Sequence, residues 1–208
     1  AVRPMITRAT SFCAAIFLQR SSVKGISFWH QGSIAHPWPL SKGLSLTKEQ
    51  IDQLNIYSLF LTEYNEKVNL TRIIDKKDVY LKHFYDSLTL VKAIRLENIN
   101  TLCDVGTGAG FPGIPVKVAM PDLKLTLLDS LKKRIGFLDE VIKTIELKNA
   151  RTVHSRAEDA GSDAKFREKY DIATARAVAA LPVLCEYCLP FGYIHIKSID
   201  FSSSVSAL

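Results

Sequence analysis

The ten residues Asp104-Val-Gly106-Thr-Gly108-Ala-Gly110-Phe111-Pro112-Gly113 hold the densest chemistry in this sequence. Glycine lets a backbone approach a ligand closely, and a helix starting just beyond it offers N–H groups that the helix itself does not use. Such a loop can cradle a small polar ligand. Twenty-three residues past Gly106, Asp129 ends a short apolar run, where a carboxylate can accept hydrogen bonds from ribose hydroxyls. A ribose-bearing cofactor is therefore expected.

Two cofactor classes compete for such a loop. The stretch Gly108 to Gly113 fits the G-x-G-x-x-G pattern of nicotinamide-binding folds by itself, but it begins several residues after the expected strand. It also puts Phe111 and Pro112 where a pyrophosphate would have to pack. S-adenosyl-L-methionine has no phosphate to hold, and Asp104, two residues before the first glycine, suits a loop facing the cation of its amino-acid or sulfonium end.

Outside the loop, His83 and Asp86 lie three apart on an expected helix and share a face. They read either as a helix-stabilising pair or as groups that bind and orient a ligand from an N-terminal helical cap. Arg176 follows an expected strand, at the ligand edge of an open α/β sheet. Lys132, Lys133 and Arg134 begin a helix beside the Asp129 strand, as a solvated face or as phosphate contacts; Arg72, Lys76, Lys77 and Lys82 form a second basic group with the same two readings. Cys185-x-x-Cys188 stands without a second pair, so packing is expected rather than a metal site.

The elements that must position these residues follow from periodicity. Thr47-x-x-Gln50 is a capping-box pattern, and Ile51, Leu54, Tyr57, Leu61 and Tyr64 recur behind it at helical spacing. A second helical stretch over 77–93 places Tyr80, Phe84, Leu88 and Val91 on one face. The period then changes. Strands are expected at 101–105, 123–129, 151–155, 170–174 and 192–198, with a short helix over 111–119 and a longer one over 131–147 that Ser130 caps. Alternating strands and helices predict an α/β fold, a doubly wound Rossmann-like sheet, behind an N-terminal helical cap. The domain reading is a leader at 1–43, the cap at 44–98 and the cofactor-binding domain at 99–208.

Charge and composition narrow the possible partners. The net charge is +6, from 27 Lys and Arg against 21 Asp and Glu, yet residues 1–48 carry six of the basic groups and no acid. The rest is neutral, so any contact with nucleic acid must use local basic patches. The apolar run 12–18 is far shorter than the roughly 20 residues a spanning helix needs, so no membrane is expected. The Ser-rich, acid-free first 43 residues match an organellar transit peptide in composition; a disordered or wrongly assigned leader is the alternative preferred here.

The loop does not stand alone. Asn69-Leu70-Thr71, His83-Phe-Tyr-Asp86-Ser87-Leu88, Leu127-Leu-Asp129-Ser-Leu131 with Lys133-Arg134, Ser155-Arg156-Ala157-Glu158 and Ala175-Arg176-Ala177 accompany it. In this set and order the sequence resembles the S-adenosylmethionine-dependent methyltransferases of N7 of a guanine in small-subunit (16S) ribosomal RNA, the glucose-inhibited division protein B family. The resemblance covers about residues 44–191. It implies that Gly106 and Phe111 line the cofactor pocket, that Asp129 binds ribose, that Ala157 and Glu158 approach the adenine and that Arg176 closes the site. It also implies 16S ribosomal RNA or the small ribosomal subunit as partner; the expected location is the cytoplasm, or a mitochondrion or plastid if residues 1–43 are a transit peptide, and a monomer is expected although no residue reads out the oligomeric state.

Two further observations bear on that resemblance. Guanine N7 carries a lone pair and no proton, so its methylation needs no general base, and the chain has no Asn-Pro-Pro-Tyr-like segment for exocyclic amines after the fourth strand. After Phe191 the sequence leaves the family pattern: only Gly192-Tyr-Ile-His-Ile-Lys-Ser and a Ser-rich tail follow, and the last two strands are expected to be missing, with an exposed sheet edge and doubtful activity as the consequence.

Overall fold

The fold is taken from a computed structural model, in which residues 45–93 and 99–197 are described. The leader expected at 1–43 and the tail after Lys197 lie outside the described residues. Helix α1 spans Lys48–Val68 behind the expected capping box: Thr47 Oγ1 accepts the Gln50 N–H at 3.3 Å, and Gln50 Oε1 accepts the Thr47 N–H at 2.8 Å. It runs past Tyr64 because its stop is Asn69, left-handed at φ 50°, whose N–H bonds the Asn65 carbonyl.

The second helical stretch is three pieces rather than one. Helix α2 (Lys76–Asp78), a π-helical stretch (Val79–Tyr85) and α3 (Asp86–Ala93) follow one another directly. Five parallel strands come next or are interleaved: β1 (Thr101–Val105), β2 (Lys124–Asp129), β3 (Ala150–His154), β4 (Tyr170–Arg176) and β5 (Gly192–Lys197), in the order β3-β2-β1-β4-β5. Helices α4 (Gly113–Ala119), α5 (Lys132–Thr144), α6 (Ala157–Ser162) and α7 (Leu181–Cys188) make the crossovers.

Strand alternation builds both cores. Leu102, Leu125, Leu127 and Ile172 face one cluster with α1, α3, α4 and α5, while Cys103, Val105, Leu128 and Ala173 face a second with α6 and α7. The segment expected as a cap is built into the first core: Leu54, Tyr57, Phe84 and Leu88 share it with Leu127 and Phe137. Each such fully buried Leu or Phe contributes about 1.5–3 kcal/mol, so the N-terminal helices and the sheet hold each other in place.

Two expectations are corrected here. Ser130 does not cap α5; the helix has Leu131 at its N-cap with no side-chain cap, and the Asp129 carboxylate takes the Leu131 N–H at 2.9 Å instead. Helices α6 and α7 were absent from the periodicity reading, because α6, Ala-Glu-Asp-Ala-Gly-Ser, is too short and polar to show an apolar stripe. Among the described residues no helix is long and apolar enough to cross a membrane.

Candidate cofactor site at the switch point of the sheet

The strand order reverses between β1 and β4, and in open α/β sheets the crevice beyond the carboxyl ends at such a point is where ligands bind. The glycine loop leaves β1 there, Arg176 ends β4 there, and Asp129 ends the adjacent β2. All three expected site elements therefore reach one end of the sheet. A groove of about 390 Å³ lies at the other end, lined by Lys124, Arg151 and Tyr170 among others. It contains none of these residues and sits at the amino ends of the strands, so it is not this site.

Asp104 holds the loop from beneath. Its side chain is fully buried; Oδ2 accepts the Thr107 hydroxyl at 2.6 Å and the Gly113 N–H at 2.9 Å, and Oδ1 accepts the Thr174 hydroxyl at 3.2 Å. This corrects its expected role against a cofactor cation: the carboxylate faces inward and fixes the turn. Burial raises its pKa to about 6, and its hydrogen bonds oppose that rise.

The helix-start N–H groups, expected to face the ligand, are also spent internally. Gly113 N–H goes to Asp104, Ile114 N–H to the Gly110 carbonyl, and the Gly110 and Phe111 N–H groups to the Thr107 carbonyl. Gly108 is different. It is left-handed at φ 62°, its N–H donates to Asp129 Oδ2 at 2.9 Å, and a Cβ there would meet no atom within 4 Å. Bare backbone faces open space at that point, beside a carboxylate. Gly106 instead is covered by Val178, whose Cγ2 lies 2.6 Å from where a Cβ would stand.

Asp129 is 2% exposed and anchors three groups: Gly108, Leu131 and, at 3.3 Å from Oδ2, Arg134 Nη1. It joins the loop, its own strand end and the start of α5, which is the position a ribose-binding carboxylate requires. Lys132 and Lys133 are exposed on the same first turn, whereas Arg134 is drawn inward by its ion pair. Ala157 is half-buried and Glu158 exposed at the start of α6, past the end of β3. Glu158 faces Tyr187 of α7 and holds that phenol above its ordinary range.

His83 and Asp86 both converge on Arg176. Arg176 Nη1 donates to Asp86 Oδ2 at 3.1 Å and to Ser87 Oγ at 3.4 Å, and Nη2 lies 3.4 Å from His83 Nδ1. Phe111, from the loop, stacks on the His83 ring at 4.5 Å between centroids and carries the Arg176 guanidinium 5.0 Å from its own centroid. Behind it, Phe84 and Tyr57 extend the aromatic packing into α1, and the Tyr57 hydroxyl bonds the Ala109 carbonyl. Burial, then the Arg176 charge, lower the His83 pKa to about 4, so the ring is neutral at neutral pH. His83 lies in the π-helical stretch, a form concentrated at functional sites, and Asp86 follows directly at the start of α3.

Two residues at this site had no role in the sequence reading. Thr71 contacts His83 Nε2 at 3.1 Å, and its presence in the block Asn69-Leu70-Thr71 was the available signal. Val178 covers Gly106, and an apolar residue two past the strand-end arginine was the hint. Among the remaining candidates, Lys82 is tied to Asp78 at 2.7 Å and Lys76 lies 6.0 Å over the Tyr80 ring, so this basic group is partly neutralised within its own helices. Cys188 packs in the second core with Cys185 against it, and burial pushes its thiol up to about 12.

The chain is similar in sequence to known proteins. The family model for rRNA small subunit methyltransferase G matches residues 50–195. A ribosomal RNA small subunit methyltransferase G of Acetivibrio thermocellus is 57% identical over 149 residues, 72% of this chain and 61% of that protein. Those of Leuconostoc citreum and Bacillus subtilis are 55% and 52% identical, each over 72% of this chain and over 63% and 62% of their own lengths. The chain thus spans less than two thirds of the relatives it matches. A family model that matches residues 50–195, together with relatives more than half identical, shows that this chain belongs to the rRNA small subunit methyltransferase G family.

Proposed function

We propose that this chain is an S-adenosyl-L-methionine-dependent methyltransferase that modifies N7 of a guanine in 16S ribosomal RNA of the small subunit. The observation that carries the reading is Gly108: bare left-handed backbone over open space, hydrogen-bonded to the Asp129 carboxylate at the switch point of the sheet. The residues present fit the cofactor. Asp129 is the ribose acceptor, Gly108 gives backbone access while Gly106, under Val178, shapes the turn, Phe111 is an apolar wall, and Ala157 with Glu158 stands on the adenine side. Bound there, the cofactor supplies an electrophilic methyl group on a sulfonium.

The protein's part is then to hold and shield. Guanine N7 has no proton to lose, so no general base is needed near it; His83, half-buried, with its pKa lowered to about 4 and its Nδ1 turned to Arg176, is a positioning group rather than a base. Arg176, 9% exposed and held by Asp86 and His83, fixes the wall of the pocket opposite Asp129. Orientation of the two reactants within a water-poor crevice supplies most of the rate. Lys132 and Lys133 offer phosphate contacts beside the cofactor strand.

We further infer that the chain acts as a monomer in the cytoplasm, with residues 44–98 serving as a helical cap over the cofactor-binding unit at 99–208. The test is incubation with small subunits lacking the modification, followed by mapping of 7-methylguanine. A single modified guanine is the expected result. Methyl transfer into protein or metabolite alone, or cofactor binding without any transfer to RNA, would overturn the reading.

A further inference from the structure

The contacts around Arg176 contain a relay that starts at the end of the first helix, and we propose that Thr71 is a positioning residue that acts through His83. Its hydroxyl oxygen accepts His83 Nε2–H, which leaves Nδ1 unprotonated to accept from Arg176 and so fixes the aim of the guanidinium. The inference deepens the function proposed above and rests on it only where cofactor affinity is concerned.

The geometry supplies each link. An arginine has donors and no acceptor, so the His83 Nδ1 atom that faces Arg176 Nη2 at 3.4 Å must present a lone pair. In a neutral imidazole the proton then sits on Nε2, and the group 3.1 Å from Nε2 is Thr71 Oγ1. Thr71 is itself tied down: its N–H donates to Asn65 Oδ1 at 2.8 Å, and its Oγ1 also accepts the Ile73 N–H at 3.1 Å. Asn65 is 9% exposed in the last turns of α1. The loop after α1 is thereby rigid where the relay begins. The ring plane is set independently, by stacking on Phe111 at an interplanar angle of 15°. Phe111 fixes the tilt of the ring, and Thr71 supplies the acceptor that, with the Arg176 donor on the other side, holds the proton on Nε2. The second partner of a histidine commonly decides its tautomer in this way. Asp86 holds the other end nitrogen of Arg176, so the guanidinium is gripped at two corners.

Heteronuclear NMR of isotope-labelled imidazole nitrogens tests this on the full chain at neutral pH, with His83→Gln identifying the His83 signals among the five histidines. The expected result is one tautomer, protonated at Nε2. Thr71→Val keeps the shape and removes the acceptor; it should give mixed tautomers and weaken binding of S-adenosylhomocysteine by about three- to tenfold. Thr71→Ser keeps a hydroxyl and should restore both readings. A wild-type His83 protonated at Nδ1 overturns the proposal, and so does an unchanged tautomer in Thr71→Val. If Thr71→Val fails to fold, Thr71→Ala, which also lacks the acceptor, takes its place and is read for the same mixed tautomers and weakened affinity. Failure of the wild-type chain to bind S-adenosylhomocysteine would count against the proposed function, while the tautomer result would stand or fall by itself.

Discussion

Arg176 and Asp86, 90 residues apart in the chain, meet in a 3.1 Å ion pair that ties the end of β4 to the start of α3. The side chains are 9% and 23% exposed, so solvent screens the pair only in part. Removing Asp86 leaves a buried guanidinium without its carboxylate, and Asp86→Ala should lower stability by about 2 kcal/mol. Urea unfolding measures it. A loss of only a few tenths would place the pair among screened surface contacts.

Asp104 gives a pH-dependent prediction. Its folded-state pKa, raised by burial to about 6 from 3.8, means that the folded state binds a proton more tightly than the unfolded chain does. Its contribution is then most favourable below about 4 and is lost as pH rises from about 4 to 6. Asp104→Asn removes this titration, although its amide fits the three donors around Asp104 poorly. The stability of the native chain minus that of Asp104→Asn should therefore fall across this window and level off above it. Parallel stability profiles for the two proteins would show that Asp104 does not titrate there.

How much of this was legible in the sequence differs between local and distant relationships. The glycine loop and Asp129 could be read directly, because a strand, its turn and the next strand end are fixed by local periodicity and short spacing. The facing of Asp104 could not. Its position two residues before Gly106 fits a ligand contact and a buried anchor equally, and only the packing of Gly113 and Thr174 around it decides. The convergence of His83, Asp86 and Phe111 on Arg176 is a long-range relationship, and a π-helical turn helps to set it, a feature without a periodicity signature. Three-residue spacing put His83 and Asp86 on one face, as a pair or as ligand-orienting groups, and did not show that both would meet Arg176. Helix α7 did carry a signal that was passed over, a proline in its first turn at Pro182.

Asp129 should govern cofactor affinity. Replacement by Ala removes the acceptor proposed for the ribose and should weaken S-adenosylhomocysteine binding by about 1–3 kcal/mol, read by titration calorimetry. Because Gly108, Leu131 and Arg134 also lose their partner, a drop in melting temperature is expected as well. Unchanged affinity in a folded variant would remove Asp129 from the site.

Lys132 and Lys133 are the exposed cations on the first turn of α5, with Arg134 already paired to Asp129. If they contact phosphate, Lys132→Gln with Lys133→Gln should reduce the salt dependence of RNA binding, lowering the slope of log K against log salt by roughly 1.4–1.8. Affinity should fall uniformly across RNA sequences, with cofactor binding untouched. An unaltered salt slope would return these residues to a solvated helix face.

Two glycines of the loop, Gly108 and Gly113, separate a ligand role from a scaffold role. A Cβ at Gly113 would stand 2.7 Å from Leu127 Cδ2 and 2.8 Å from Asp104 Oδ2, inside the packed core, where neither neighbour can retreat freely. Gly113→Ala should therefore cost stability first, about 2 kcal/mol by overpacking, whether or not cofactor is present. At Gly108 the same added carbon meets nothing, so only the left-handed φ of 62° opposes it, a strain of about 1–2 kcal/mol. The open space beside it is where the ligand must lie if the site is correctly placed. Gly108→Ala should thus lose more in S-adenosylhomocysteine affinity than in melting temperature, and Gly113→Ala the reverse. Equal losses of both kinds in Gly108→Ala would mean that its open side is not the cofactor's side.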